Sequence, residues 1–189
     1  MIPVPHVLGS PKRYSIIYAD PPWTYSDWNC NGATANHYST MSLGQICSLP
    51  IESICAPDSV LFLWATYPML QEALSVIKAW GFTYKSSAFV WIKMNTRTPT
   101  PFYGLGRWTR GNTEPCLLAT RGKPHRLSNA VSQLIIEPHG RHSEKPAIVR
   151  DRIIDLMGDI SRVEIFARQK TPGWDIWGNE LPNDVRLSV

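Results

Sequence analysis

Ser15-Ile16-Ile17-Tyr18-Ala19-Asp20-Pro21-Pro22-Trp23 is the stretch on which the fold turns. The apolar run from Ser15 to Ala19, closed by two prolines, reads as a buried strand, because a proline pair cannot continue a sheet ladder. Asp20 then stands at the carboxyl end of that strand, where open α/β sheets place their ligands. A carboxylate, two rigid residues and a large flat ring are thus set side by side at a strand end.

Outward from this point, strands and helices alternate. Residues 59–65 read as a second buried strand. Pro68 to Trp80 has Leu70, Ala73, Leu74, Ile77 and Trp80 near helical spacing and Gly81 as its stop. Strands are expected over 82–92, Pro115 to Thr120 and Leu134 to Glu137, and again from Val163 to Arg168. A helix is expected from an N-cap at Ser143 through Ile148, Val149, Ile153 and Leu156 to Gly158. Alternating βα units argue for an α/β fold with a mostly parallel sheet flanked by helices. No repeat, low-complexity tract or linker interrupts residues 1–189, which read as one domain. Two long stretches, Thr24 to Thr40 and Asn95 to Asn112, read as loops, and loops of that length are commonly functional.

Composition sets bounds. The chain has 189 residues, is 43% hydrophobic and carries a formal net charge of +4, enough for one compact core and mildly basic. No apolar run approaches the ~20 residues of a membrane span, and the amino terminus lacks a signal-peptide pattern. No membrane partner is expected. Cys30, Cys47, Cys55 and Cys116 are scattered, which reads as reduced thiols in a cytoplasmic protein with no metal site. Positive residues gather in two stretches: Arg107, Arg110, Arg121, Lys123 and Arg126, then Arg141, Lys145, Arg150 and Arg152. Such clusters suit a phosphate backbone. Lys145, placed at a helix amino terminus, opposes the helix dipole, so a nearby anion is expected there.

Six segments occur in order: Ala-Asp-Pro-Pro-Trp at 19–23, Val60-Leu61-Phe62-Leu63-Trp64-Ala65-Thr66, Val90-Trp91-Ile92-Lys93, Lys145-Pro146, Glu164-Ile165-Phe166-Ala167-Arg168 and Gly178-Asn179-Glu180. Together, over about Tyr14 to Pro182, they resemble the adenine N6-methyltransferase family that includes the catalytic subunit of the eukaryotic mRNA m6A writer, the methyltransferase A-seventy family. The Pro-Gly-Trp-Asp-x-Trp-Gly-Asn-Glu ending resembles the small prokaryotic and phage members.

The resemblance implies a Rossmann-like class I methyltransferase that uses S-adenosylmethionine to methylate adenine N6 in DNA, in a bacterial cell or phage-infected host. It implies Asp20, Pro21, Pro22 and Trp23 as the catalytic segment. The Asp20 carboxylate and Pro21 carbonyl would accept the amine N–H bonds, and so stabilise the charge that develops on nitrogen during transfer. Trp23 would offer a stacking face to a base taken out of its helix. Cofactor contacts are implied for Asp20, Lys145, Phe166, Arg168, Asn179 and Glu180, with Lys145 on the methionine carboxylate and Glu180 on ribose hydroxyls. Tyr38, Lys93, Arg107, Trp108, Arg110 and Glu114 are implied at the substrate.

Alternatives stay open: RNA in place of DNA, cytosine N4 in place of adenine N6, or a non-catalytic nucleic-acid-binding subunit. A homodimer or a partner subunit is equally open. Glu164 and Arg168 also read as a structural ion pair. Gln169, Lys170 and Thr171 stand where the eukaryotic enzyme has Pro-His-Asn. A longer upstream segment and the recognition domains of larger members are expected to be missing, leaving target choice to loops or a partner.

Overall fold

β1 (Tyr14–Ala19) and β2 (Cys55–Trp64) run parallel side by side in the middle of the sheet, Ile16 beside Val60 and Ala19 beside Leu63. The computed structural model describes residues 12–24, 40–104, 106, 108–140 and 144–187. Five more strands follow: β3 (Thr83–Met94), β4 (Thr113–Arg121), β5 (Leu134–Pro138), β6 (Arg162–Ile165) and β7 (Asp175–Trp177). They join one sheet in the order β5-β3-β4-β2-β1-β6-β7.

The near-continuous apolar runs of β1 and β2 follow from burial on both faces. Ile17, Ala19, Leu61 and Leu63 belong to one core cluster, with residues of α1 (Leu43–Ser48) and α2 (Leu70–Ala79). Ile16, Tyr18, Val60, Phe62 and Trp64 belong to the other, with α3 (Ile148–Met157). This is the expected Rossmann-like α/β arrangement. Gly81 and Gly158, both at positive φ, close α2 and α3.

Several expectations change. The sheet is mostly parallel, but β4 runs antiparallel to both β2 and β3. A parallel pair needs a crossover of a dozen or more residues, usually a helix, and the Pro/Gly-rich connection between β3 and β4 contains no helix among its described residues. α3 begins at Ile148, with Ala147 as an N-cap that makes no side-chain hydrogen bond; Ser143 lies outside the described residues. β6 ends at Ile165 rather than Arg168, because Phe166 turns into the left-handed region at φ 65°. On α2, Val76 is fully buried while Leu74 is 38% exposed. α1 is not among the helices expected from the sequence. Its capping box is nevertheless local: Ser42 Oγ accepts from the Gln45 N–H, and Gln45 Oε1 accepts from the Ser42 N–H. Among the described residues no helix is long and apolar enough to cross a membrane, and no group of His, Cys, Asp and Glu side chains is assembled to hold a metal ion.

Candidate active site

β1 and β2 end at the same edge, and there the antiparallel β4 begins. This topology brings residues far apart in sequence to one place. Asp20 follows the last residue of β1, Glu114 is the second residue of β4, Lys93 lies at the end of β3, and Lys145 lies just ahead of α3.

Their charges alternate along one chain. Lys145 Nζ donates to Asp20 Oδ2 at 2.8 Å and lies 3.1 Å from Glu114 Oε1. Lys93 Nζ lies 2.7 Å from Glu114 Oε2. Lys145 and Glu114 are almost fully enclosed, with side-chain exposures of 6% and 8%, while Asp20 keeps 25%. The anions that account for Lys145 are therefore the protein's own carboxylates, rather than a response to a helix dipole that starts three residues later.

The burial of this group governs its ionisation. Burial pushes the Asp20 carboxyl up, and the Glu114 charge adds to that; Lys145 pulls it back only in part. Burial also acts to raise Glu114, but Lys145 and Lys93 together outweigh it and hold its carboxyl below the usual value. Lys145 loses hydration, yet the two carboxylates more than compensate and raise its pKa, so it stays a cation. Beneath it the Trp64 ring centroid lies 5.6 Å from Nζ, a cation–π contact. The Trp64 indole N–H donates to Tyr18 Oη at 2.7 Å, which fixes the ring. Trp64 and Tyr18 were not singled out as site residues; the signal was an aromatic at the end of each of two adjacent buried strands.

The proline pair is also constrained. The Pro21 carbonyl accepts from the Trp23 N–H at 2.9 Å, closing a tight turn, and the Pro22 carbonyl accepts from the Met41 N–H. Pro21 keeps a second lone pair for another donor. Trp23 differs from expectation. It is 6% exposed and belongs to the core cluster that includes Ile46 and Leu49, so its face is not open to a base in this arrangement. Its indole N–H is buried without a hydrogen-bond partner among the described residues.

On the other side of Asp20 the ends of β6 and β7 carry the remaining candidates. Phe166 meets Trp177 edge-on, with ring centroids 5.6 Å apart. Arg168 Nε lies 3.8 Å from Glu180 Oε1, and both side chains are open to solvent at 37% and 56%. Asn179 is exposed beside them. Gly178 lies so close to the chain after β6 that an added Cβ would stand 2.4 Å from the Ala167 carbonyl oxygen. A left-handed Phe is uncommon and marks a turn held by its surroundings, as functional sites often are.

Other candidates stand in solvent or lie outside the described residues. Trp108 is 98% exposed, and Arg110 is exposed as well. Tyr38 and Arg107 lie outside the described residues. Glu164 pairs with Arg150 of α3 rather than with Arg168, through two hydrogen bonds of 2.7 and 2.8 Å. The described members of the two basic stretches are spread apart. Lys145 and Arg150 are internal, and Arg152 donates to the Ser132 and Leu134 carbonyls. Arg121 pairs with Glu52 and lies about 23 Å along β4 from Glu114 at ~3.3 Å per residue.

Comparison with known proteins gives the family. The MT-A70 family model matches residues 14–180. The chain is similar to the type II methyltransferase M.MunI of Mycoplasma sp, 35% identical over 92% of this chain and 80% of that protein. It is also similar to the N(6)-adenosine-methyltransferase MT-A70-like of Arabidopsis thaliana, 27% identical over 96% of this chain and 25% of that protein. The human N(6)-adenine-specific methyltransferase METTL4 is 28% identical over 93% of this chain and 39% of that protein. The chain thus spans well under half the length of the last two.

Proposed function

The chain belongs to the MT-A70 family of adenine N6-methyltransferases, and from that premise we propose that it methylates adenine N6 in DNA with S-adenosylmethionine as methyl donor. The observation that carries this reading is the Asp20 carboxylate at the end of β1, held by Lys145 and followed by the proline pair.

The donor set at the strand ends fits the cofactor. Lys145 and Asp20 present one cation and one anion, matching the carboxylate and ammonium of the methionine half. Glu180 and Arg168 are exposed enough to meet the ribose and adenine half, beside the apolar ring of Phe166 and with Asn179 as a further polar contact. When bound, the cofactor supplies the sulfonium methyl group.

The protein's own residues then supply the electrostatics. An adenine amine is a weak nucleophile because its lone pair is conjugated with the ring. The Asp20 carboxylate and the second lone pair of the Pro21 carbonyl accept its two N–H bonds, which favours a pyramidal nitrogen. They also stabilise the positive charge that grows on nitrogen, an interaction stronger in the transition state than in the ground state. After transfer, one N6 proton passes to an Asp20 carboxylate oxygen. Burial, which raises the Asp20 pKa, favours that acceptance. Lys145 fixes the carboxylate in place.

The likeness to a type II methyltransferase is greater in identity, 35% against 27%, and takes in 80% of that protein against 25% of the adenosine-methyltransferase, and this favours DNA. RNA remains the second reading, because a flipped adenine is the same base in either polymer. Competition between matched DNA and RNA oligonucleotides tests the choice. Preferential methylation of RNA would overturn the DNA assignment and leave the enzyme class standing.

A further inference from the structure

Asp20 alone would neutralise Lys145, yet the site buries a second carboxylate against the same ammonium. Glu114 has only 8% of its side chain exposed, and its two oxygens are held from opposite sides by Lys93 and Lys145. Burying a carboxylate is costly unless it is paired, and here two lysines are committed to that pairing. A structural Lys–Asp pair has no need of it. We infer that Glu114 is a positioning residue that takes a share of the Lys145 charge and so leaves Asp20 a stronger acceptor for the amine proton. The inference rests on Asp20 being the amine acceptor, as proposed above.

The surroundings of Asp20 bear on the sign. It faces Lys145 from the segment before α3, Glu114 and the Cys116 thiol from β4, and Arg168 from beyond β6. Lys145 and Arg168 favour its charged form; burial and the Glu114 charge oppose it. Lys145 faces the same two carboxylates over the Trp64 ring, and Glu114 faces Lys145 and Lys93. In the step concerned, an N6–H bond breaks, an O–H bond forms on Asp20, and the bonding pair stays on nitrogen. A carboxylate whose cation is shared with a neighbour takes that proton more readily than one that holds the cation alone. Lys93, 28% exposed, holds the other oxygen of Glu114, and without it Glu114 would draw more of the Lys145 charge away from Asp20.

The test is the titration of the Asp20 carboxyl carbon by NMR in the free protein, with Asp20→Asn to assign the signal. It is run beside the pH profile of kcat for methyl transfer to an adenine-containing oligonucleotide. Glu114→Gln should lower the Asp20 midpoint by about one pH unit, the scale of one nearby charge, and move the acidic limb of kcat down with it. Lys93→Met, at a partly exposed position that keeps the answer available if Glu114→Gln does not fold, should move the midpoint up. An unmoved midpoint in Glu114→Gln, or in Lys93→Met should the first variant not fold, would overturn the inference. So would a change confined to KM, which would make Glu114 a substrate contact. An inactive wild-type protein would contradict the proposed reaction, and the NMR midpoint decides the role of Glu114 independently of it.

Discussion

Lys145→Met removes the ammonium shared by Asp20 and the enclosed Glu114, and its cost can be worked from the geometry. Breaking a buried ion pair by deleting one partner destabilises a protein by about 3–5 kcal/mol, because the remaining charge is left uncompensated. Glu114 would still hold Lys93 at 2.7 Å, and Asp20 keeps a quarter of its side chain exposed. The loss should therefore fall near the lower end, about 3 kcal/mol at neutral pH.

The pH dependence carries a definite sign. Without Lys145, burial and mutual repulsion raise both carboxyls above their unfolded values. The folded variant then binds more protons than the unfolded chain, so its stability falls as pH rises through the raised folded values. Urea unfolding of variant and wild type, followed by tryptophan fluorescence, measures the penalty at a mildly acidic and a mildly alkaline pH. The penalty should be clearly larger at the higher pH. Equal penalties at the two values, or a loss below about 1 kcal/mol at the higher one, the range of a surface pair, would refute the shared-ammonium account.

Arg150→Met should cost about 3–5 kcal/mol in chemical denaturation by stranding the buried Glu164. Arg150→Met combined with Glu164→Leu should recover most of that loss, and a double variant no better than the single would contradict the reading that the stranded Glu164 charge causes it. Gly178→Ala should destabilise by about 1–3 kcal/mol, since its Cβ meets the Ala167 backbone oxygen, a neighbour unable to give way. Calorimetry should also show weaker S-adenosylmethionine binding in that variant. Arg110→Ala should lower the salt slope of DNA binding by roughly one phosphate contact. Lys123→Ala with Arg126→Ala, beyond the far end of β4, should leave that slope unchanged.

What could be read in advance was whatever a local pattern dictates. The strand before Asp20, the buried run of β2 and the glycines that stop α2 and α3 are written in adjacent residues, and the structure keeps them. The direction of β4 is not local. It follows from a connection too poor in helix to carry a crossover, and it is this reversal that places Glu114 beside Asp20 rather than at the opposite end of the sheet. The same limit applies to charge. Arg150 and Lys145 look like members of a basic surface stretch until the fold sets Glu164, Asp20 and Glu114 against them. Trp23 and Val76 show a further gap: which ring or methyl faces inward depends on the neighbouring layer, and spacing alone placed Leu74 in the core instead. α1 is the exception, a helix whose capping box stands in Ser42 and Gln45 but whose six residues are too few for an apolar period to show.

In the proposed reaction Asp20 directs a methyl group onto adenine N6 of DNA. Wild-type protein and Asp20→Asn, each incubated with methyl-labelled S-adenosylmethionine and an adenine-containing DNA oligonucleotide and then digested to nucleosides, test it most directly. The expected result is label in N6-methyldeoxyadenosine for the wild type, formed at a rate lower by a factor of ~10² or more in the variant, the scale of losing one preorganised electrostatic group. Label in N4-methyldeoxycytidine, no label in any nucleoside, or an Asp20→Asn protein as fast as the wild type would contradict it.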